Sequence, residues 1–497
     1  MSSTFKPAFA LMSGRILGGV VSSLVPLVLV RLLDPAEFGT YKQVFLIYAT
    51  LFGIAQLGMA ESLYYFLPHE SRHAGRFVAN SLLVLAGAGL LCGGLLAIAA
   101  PAAARAMNNP ALAGSLALLG VFLAFMLVSN VLEIAMTARG RFVLAASSFA
   151  VSELVRSLLF IVPVLLFGSV RALLVGAALF ALLRVIAAVA WLWSEYGSEL
   201  RCDLVRLRVQ LAYALPFAAA VLVHVLQENL HQYAVSSRFD AAVFAVYAVG
   251  CLQIPLVDFL ATSVSSVMMV RMAADRAAGR TDRLLPQWHD TTRKLALLLC
   301  PLVGLLLVNA RAIIHVLFTA RFSASAPILM LWSLAFLAAA LQIDGVLRVY
   351  ADTRFLLIMN LCRLGLVLLL IPPFLGTFGL PGAVMVTLLA LFFGKAMALV
   401  RIGHLMQVRP RRLLPWLELS RIVAACAAAL LPALWVRSVV PLQPWVNLLA
   451  TGSVYAISCA TLLLLLKAVT IPHAVLGSAW LGRSIAWLGG TERGQAR

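Results

Sequence analysis

Ionisable side chains lie within long apolar stretches of the sequence. A titratable group is expensive inside a bilayer, so such residues usually face a cavity, a partner or an ion. They are therefore the first candidates for chemistry in this chain. The set includes Arg15, Glu153, Arg156, Arg184, His224, Glu228, His231, Asp258, Arg311, Asp344, Arg363 and Lys395.

The basic members of this set outnumber the acidic members that can pair with them one to one. Unpaired cations in a cavity shielded from water favour an anionic substrate, and the guanidinium fork matches phosphate oxygens bidentately. Arg184 and Arg363 lie near mid-span, where a side chain reaches the interface less easily than Arg15 or Lys395 does. The candidates for holding a diphosphate are Arg15, Arg156, Arg184, Arg311 and Arg363.

Three carboxylates in apolar stretches are candidates for binding a coupling ion, namely Glu228, Asp258 and Asp344. A proton or sodium ion bound in only one conformational state can bias transport in one direction. Arg348 follows Asp344 by one helical turn, so a permanent salt bridge is the alternative role for Asp344. Asp258 has no opposite charge within four positions and is the preferred candidate.

Two further groups have structural interpretations. Glu153 and Arg156 stand three positions apart on one helix face and can neutralise each other. His224, Glu228 and His231 form a stripe at i, i+4 and i+7, which fits the wet face of a cavity or hydrogen bonding between helices. A metal site would need a further ligand that the sequence does not nominate, so no metal and no cofactor are expected.

The sequence lacks the motifs of the common membrane and hydrolytic enzymes. It contains no G-x-S-x-G, no H-E-x-x-H and no Asp-rich motif for a divalent metal with a diphosphate. We therefore expect a protein without enzymatic activity. An integral-membrane glycosyltransferase or ligase with its site within the spans is the enzymatic alternative.

The elements that must position these residues are membrane helices. The chain has 497 residues, of which 63% are hydrophobic and 11% charged, with a mean hydropathy of +1.01. This composition excludes a large soluble domain. Because a span needs about 20 apolar residues, we expect an all-α polytopic protein with fourteen spans. The apolar windows cover residues 8–32, 42–67, 77–100, 112–137, 143–168, 172–194, 212–235, 241–270, 294–318, 327–349, 355–376, 380–402, 421–440 and 446–468.

Lysine and arginine in the short connections predict the orientation. With both termini in the cytoplasm, 25 of the 38 Lys and Arg residues fall on the cytoplasmic side and 7 on the other side. Most of the net charge of +19 then reflects topology and attraction to anionic lipid, so nucleic acid is not expected as a partner. The segment 471–490, with Trp480, Arg483 and Trp487, predicts an interfacial amphipathic helix in the cytoplasmic tail.

Two segments of the chain repeat each other. Residues 34–41 after the first window and residues 240–247 after the seventh place Asp, Phe and Tyr at the same offsets, 206 residues apart. Windows one and seven have the same predicted orientation, as a parallel repeat requires. We expect an N-terminal six-helix lobe at 1–200, a C-terminal six-helix lobe at 201–402, and helices 13 and 14 with the tail at 403–497.

Residues 31–41, Arg-Leu-Leu-Asp-Pro-Ala-Glu-Phe-Gly-Thr-Tyr, closely resemble a family-specific segment. The family is that of the polysaccharide transporters, or Wzx-type flippases, of the multidrug/oligosaccharidyl-lipid/polysaccharide exporter superfamily, where the segment follows the first helix. Residues 317–329, 351–354 and 376–383 are similar to that family's pattern in order and spacing. The resemblance extends over essentially the whole chain.

The resemblance implies two six-helix lobes around a central cavity that opens alternately to each side of the bacterial inner membrane. It implies transport of an undecaprenyl-diphosphate-linked oligosaccharide to the periplasmic leaflet, with membrane lipids and polysaccharide polymerase or assembly proteins as partners. Arg31, at the end of the first helix, matches an arginine that binds diphosphate in the related lipid II flippases. A lipid II flippase and a drug or cation antiporter remain alternatives, and the sugar and the coupling ion, H⁺ or Na⁺, are left open.

Overall fold

The computed structural model describes residues 5–439, 443–466 and 468, with residues 5–17 described by their backbone alone. Every regular element of this part of the chain is a helix, which confirms the expected all-α class. The amphipathic helix expected at 471–490 lies outside the described residues.

The helices follow one another with short connections. They are α1 (Phe5–Leu32), α2 (Pro35–Ala55), α3 (Met59–His69), α4 (Ala74–Ala106), α5 (Ala113–Ser129), α6 (Val131–Ala138), α7 (Phe142–Phe167), α8 (Val170–Tyr196), α9 (Leu204–Arg238), α10 (Ala241–Gly250), α11 (Pro255–Ala277), α12 (Leu284–Phe318), α13 (Ala326–Ser333), α14 (Ala335–Ala339), α15 (Ile343–Val349), α16 (Thr353–Phe378), α17 (Leu380–Met406), α18 (Pro410–Leu413), α19 (Trp416–Val439) and α20 (Pro444–Leu465). Turns of 3-10 helix lie at Ser71–His73, Pro110–Leu112, Gly197–Glu199, Thr281–Arg283 and Ala320–Ser325.

Most of the expected spans are among these helices. Thirteen helical stretches of the described chain are long and apolar enough to span a bilayer. Helix α1, with 28 residues, occupies the first predicted window, and its apolar part with described side chains is Gly18–Leu32. At a rise of about 1.5 Å per residue, it is longer than the hydrocarbon core of about 30 Å.

Spans two, eight and ten are interrupted, although their windows predict continuous helices. Leu57 and Gly58, with φ of 50° and 68°, separate α2 from α3. Span four continues from α5 into α6, because Asn130 between them has right-handed helical φ and ψ of −62° and −20° and its N–H bonds to the Met126 carbonyl. Residues 251–254 separate α10 from α11, and residues 340–342 separate α14 from α15. Hydropathy windows do not detect such breaks because the residues at them are still largely apolar. Irregular backbone at membrane depth occurs where it is buried in protein or lines a cavity.

The C-terminal half of the structure repeats the N-terminal half, at a spacing of 206 residues between α2 and α10 and of 211 residues further along the chain. Helices α7 and α16 lie 211 residues apart in the sequence. Residues with positive φ at the connections between spans recur at the same spacing, namely Asn108 and Thr319, Gly140 and Ala351, and Gly168 and Gly379. We call α1–α8 the N-terminal lobe and α9–α17 the C-terminal lobe. Helices α19 and α20 pack against α12 of the C-terminal lobe.

The two lobes are packed together where spans two and eight begin. Gly39 of α2 lies so close to the backbone carbonyl of Ala241 in α10 that a Cβ at residue 39 would collide with it. The rings of Phe38 and Phe322 meet edge to face with centroids 5.6 Å apart. The Gln43 amide donates a hydrogen bond to Ser236 Oγ at 2.8 Å. We call this the closed end of the molecule.

Beyond the closed end, spans two and eight pack into their own lobes. Helix α3 packs against α4 and α6, whereas α11 packs against α12 and α15. Helix α9 connects the lobes, since it contacts α3 and α4 of one lobe and α16 and α17 of the other. The lobes are thus held together at one end and linked by α9.

Candidate functional site

Arg184, in the middle of α8, forms an ion pair with Glu133 of α6. Its guanidinium donates to one Glu133 carboxylate oxygen at 2.7 Å, and its side chain is only 8% exposed. The Ser148 hydroxyl donates to the other oxygen at 3.2 Å. The charge of Arg184 is therefore neutralised within the N-terminal lobe.

Arg156 is also neutralised, by the pairing that its spacing predicts. Its guanidinium donates to Glu153 three positions earlier on α7, which confirms the expected pair. The same guanidinium donates to Ser22 Oγ of α1 at 2.6 Å. Arg156 thus joins α7 to α1 within the N-terminal lobe.

Arg363 of α16 has a different environment. Its aliphatic stem lies against Gly394 of α17, where a Cβ would collide with it. With its side-chain oxygen turned to the guanidinium, Gln227 of α9 accepts hydrogen bonds from Arg363 at 2.7 and 3.0 Å. Glu228 and Asp344 influence Arg363 electrostatically, but no carboxylate of the described residues forms an ion pair with it. Arg363 therefore keeps a positive charge without an ion-pair partner.

Lys395 of α17 lies at the break in span ten. Its ammonium donates to the backbone carbonyl of Leu341 at 2.9 Å. Because residues 340–342 are not helical, this carbonyl is available to a side chain. Lys395 thereby satisfies backbone that the interrupted helix leaves exposed.

The three carboxylates predicted for ion coupling lie in this part of the C-terminal lobe. Glu228 and Asp258 line a cavity of about 280 Å³ together with Lys395 and Trp332. Asp344 is exposed and influences both Lys395 and Arg363 electrostatically. Within the described chain, no ion pair joins Asp344 to Arg348. The structure therefore places Glu228 with Asp258 at this cavity, and it places Glu228 and Asp344 close enough to influence Arg363.

The internal repeat relates the charged clusters of the two lobes. Glu133 and Asp344 are 211 residues apart, and so are Arg184 and Lys395. The acid and base form a closed ion pair in the N-terminal lobe. In the C-terminal lobe the base binds a carbonyl and the acid is exposed. The same two positions thus serve different purposes in the two lobes.

Arg31 and Arg311 lie nearer the closed end. Arg31 donates to the carbonyls of Val316 and Leu317 at 2.7 and 2.9 Å, so it links α1 to α12 across the lobes. Arg311 lines a separate cavity of about 210 Å³. Arg15 lies on α1 within the stretch whose side chains are not described. The structure does not show these three residues in the cluster around Arg363.

The histidine stripe of α9 has no metal-binding arrangement. The ring of His231 is buried, and its Nδ1 lies 2.7 Å from the hydroxyl of Tyr247. His224 and Glu228 are exposed. Within the residues that the structure describes, no group of three His, Cys, Asp or Glu side chains is placed to hold a metal ion.

Several polar residues of the site were missed by the sequence reasoning. Glu133 and Glu61 stand in apolar windows, so the search for intramembrane charges had the signal to include them. Gln227 and Asn130 carry no charge, and nothing in a single sequence distinguishes them from other polar residues in spans. They become relevant only through the packing of the helices.

The connection between the lobes is anchored by Asp203. Its carboxylate accepts from the backbone N–H groups of Val205 and Arg206 at 3.1 Å, capping α9, and from Arg76 of α4 at 2.9 Å. These hydrogen bonds hold the pKa of Asp203 well below its usual range. The largest contribution comes from the Arg206 backbone N–H, followed by those of the Arg76 and Arg206 side chains. The start of α9 is thus fixed to the N-terminal lobe.

Comparison with known proteins identifies a family. Residues 28–327 match the family described as polysaccharide biosynthesis protein. No curated protein matches the sequence.

Solved structures with the same fold are transporters. The lipid II flippase MurJ in an inward closed conformation has a TM-score of 0.71 at 13% identity, over 93% of this chain and 100% of that chain. An inward-facing multidrug resistance MATE family transporter has a TM-score of 0.58 at 16% identity, over 78% of this chain and 95% of that chain. A MOP superfamily transporter from Pyrococcus furiosus, described as having a binding pocket of reverse polarity, has a TM-score of 0.56 at 16% identity, over 81% of this chain and 97% of that chain.

Proposed function

The chain belongs to the polysaccharide biosynthesis protein family, and on this premise we propose that it is a flippase for an undecaprenyl-diphosphate-linked oligosaccharide used in surface polysaccharide biosynthesis. The fold is that of multi-pass membrane transporters and flippases. The observation that carries the proposed substrate is Arg363, a mid-membrane guanidinium without an ion-pair partner among the described residues.

The chemistry of Arg363 fits a diphosphate. A guanidinium offers two parallel N–H donors to phosphate oxygens, and a charged hydrogen bond of this kind contributes about 1.5–3 kcal/mol. The side-chain oxygen of Gln227, a neutral acceptor, binds the Arg363 guanidinium. A charged phosphate oxygen can replace this acceptor. Lys395 supplies a second cation in the same lobe. Arg184 and Arg156 keep structural roles in this proposal because they are already paired.

The arrangement of the lobes supports alternating access. Packing at the closed end, including the contacts of Arg31 with α12, blocks passage on that side. We assign the closed end to the periplasm and both termini to the cytoplasm of the inner membrane, from the distribution of Lys and Arg in the connections. Opening to the periplasm would then release Arg31 from α12. The freed guanidinium would bind the diphosphate.

The orientation has its own test in intact cells. Single cysteines at Ser323 and Thr281, introduced without the native cysteines, should differ in labelling by an impermeant thiol reagent. We expect label at residue 323 and protection at residue 281. The reverse pattern would overturn the orientation and the direction of transport.

The acidic residues of the C-terminal lobe are assigned to coupling. Asp258, with Glu228 in the same cavity and Asp344 in the same lobe, would take up H⁺ or Na⁺ in one state and release it in the other. In this proposal, residue 200 ends the N-terminal lobe and residue 402 ends the C-terminal lobe. Helices α19 and α20 are an addition to the C-terminal lobe.

A lipid II flippase is the second candidate, since its substrate also carries a polyprenyl diphosphate. Proteoliposomes with the purified protein, offered lipid II or an undecaprenyl-diphosphate-linked oligosaccharide, separate the two. The proposal expects faster translocation of the oligosaccharide lipid. Faster translocation of lipid II would favour the second candidate, and translocation of cationic drugs alone would favour an antiporter.

A further inference from the structure

The N-terminal lobe contains a cavity that the proposed diphosphate site does not use. It has a volume of about 340 Å³, at the lower end of the range of about 300–1,000 Å³ typical of small-molecule sites. It lies among spans two, four, five and six. Its lining includes Gln56, Glu61, Tyr64, Asn130 and Phe149.

Two amide side chains lie at this cavity. Gln56 ends span two's first helix next to Leu57 and Gly58, and Asn130 lies where α5 passes into α6 with its backbone still helical. The Asn130 amide donates to the Gln56 side-chain oxygen at 2.9 Å. This leaves further donor and acceptor positions on both amides for a ligand.

The electrostatics of the cavity do not favour a phosphate. Arg184, its basic lining residue, is held by Glu133 at 2.7 Å, and Glu61 adds a second carboxylate to the lining. The cavity therefore has more negative than positive charge. A diphosphate would be repelled, whereas hydroxyl groups would donate to the carboxylates.

Two buried polar atoms of the lining have no hydrogen-bond partner in the described chain. They are Glu61 Oε2 and Arg184 Nε, an acceptor and a donor. The Arg184 side chain is 8% exposed, so bulk water does not replace the missing partner. Buried polar groups of this kind are normally satisfied, so a ligand with both donors and acceptors would find partners in the cavity.

The cavity lies at the depth of the proposed diphosphate site. Arg184 is fourteen residues from the start of α8, and Arg363 is fifteen residues from the end of α16. Both of these helix ends are on the side of the closed end, so each residue lies about 21 Å to 23 Å from it along its helix. A head group bound at Arg363 would thus lie at the same membrane depth as the N-terminal cavity.

We infer that the N-terminal cavity is the subsite for a sugar unit of the transported lipid. This inference rests on the proposed function and assigns the diphosphate to the C-terminal lobe and the sugar to the N-terminal lobe. A sugar offers hydroxyls that donate and accept, which suits the amides and carboxylates. Its apolar C–H face suits the rings of Tyr64 and Phe149.

The test compares two lipids that differ only in the sugar. Affinities of purified full-length protein are measured for undecaprenyl diphosphate and for the same lipid carrying an oligosaccharide. The variants are Asn130→Ala, Gln56→Ala and Tyr64→Ala, of which the last removes a side chain that is 42% exposed and does not disturb the core. The control is Gln342→Ala, an amide at the break of span ten that bonds to Ala339.

We expect each cavity variant to weaken binding of the sugar-bearing lipid at least fivefold and to leave binding of undecaprenyl diphosphate unchanged. The control should bind both lipids like the wild type. Equal losses for the two lipids, or no loss for either, would overturn the sugar subsite while leaving the flippase proposal intact. A wild-type protein that binds neither lipid would overturn both.

Discussion

At the scale of single residues, equivalent positions of the repeat have different partners in the two lobes. Glu133 and Arg184 form an ion pair, while Asp344 and Lys395 at the equivalent positions form none with each other in the described structure. Burying an ion pair at membrane depth costs the free energy of removing both charges from water. The attraction between the charges offsets this cost only when their geometry is good. Two charges that form no ion pair with each other, such as those of Asp344 and Lys395, are available to ligands. The charge chemistry is therefore expected in the C-terminal lobe.

The Glu133–Arg184 pair gives a prediction about stability. Glu133→Leu or Arg184→Met alone leaves a buried charge without its partner, which costs about 3–5 kcal/mol. The double variant Glu133→Leu with Arg184→Met removes both charges and should recover most of the loss. Thermal unfolding in detergent measures the three variants. Additive losses in the double variant would show that the two side chains are not coupled.

Asp258 gives a prediction about coupling. Asp258→Asn removes the titratable group at the C-terminal cavity but keeps its shape. Transport should become insensitive to collapse of the ion gradient, while substrate binding persists. Asp282→Asn, in the 3-10 turn before α12, is the matched control. If the Asp258 variant still responds to uncouplers like the wild type, Asp258 is only a packed polar residue.

At the scale of elements, the contact between α2 and α10 determines whether the molecule is closed. Gly39 permits backbone contact with Ala241 because it has no Cβ. The repeated Asp residues, Asp34 and Asp240, cap these two helices through Glu37 N–H and Val243 N–H at 2.8 Å each. The motif seen in the sequence thus builds both sides of one interface.

Gly39→Ala should therefore open the closed end. The added Cβ collides with the Ala241 carbonyl, so the lobes cannot pack as they do here. A cysteine placed at Ser236, which is fully buried at this interface, should react with thiol reagents severalfold faster in the Gly39→Ala variant than in the otherwise unchanged protein. Gly87→Ala is the control because a Cβ there meets no atom within 4 Å. Unchanged reactivity would contradict the role assigned to this contact.

The anchor of α9 gives a pH-dependent prediction. The folded-state pKa of Asp203 is depressed, so its contribution to stability is present above the ordinary Asp pKa of about 3.9. That contribution is lost as the pH falls further, toward the folded-state pKa. The stability difference between wild type and Asp203→Asn should be constant above about pH 5 and shrink as the pH falls below about 4. A difference independent of pH would show that the carboxylate charge is not what anchors α9.

At the scale of the whole molecule, hydropathy predicted fourteen windows, and thirteen of them coincide with helices of the described chain that are long and apolar enough to span a bilayer. The agreement follows because membrane helices must satisfy their own backbone. The breaks in spans two, eight and ten were not predicted, since a hydropathy window averages over the few, largely apolar residues at each break. Breaks depend on packing between helices, which composition does not encode.

The candidate site was predictable in part, because charged residues in apolar windows can be recognised in the sequence. The search for charges in apolar windows found Arg363, Asp258 and Lys395, which the structure places in one lobe. It treated Arg184 as an unpaired cation because Glu133, 51 residues away in the sequence, was not recognised as its partner. Pairing across helices is a property of the folded chain alone.

The most direct test of the account is translocation of a labelled undecaprenyl-diphosphate-linked oligosaccharide in proteoliposomes. The wild type should move it between leaflets faster than protein-free vesicles do. Arg363→Ala should lower affinity roughly ten- to hundredfold, because one charged hydrogen-bonding group of about 1.5–3 kcal/mol is lost, and Arg363→Lys should retain part of it. Arg348→Ala, outside the cluster, should behave like the wild type. Translocation by Arg363→Ala at the wild-type rate and affinity would contradict the account.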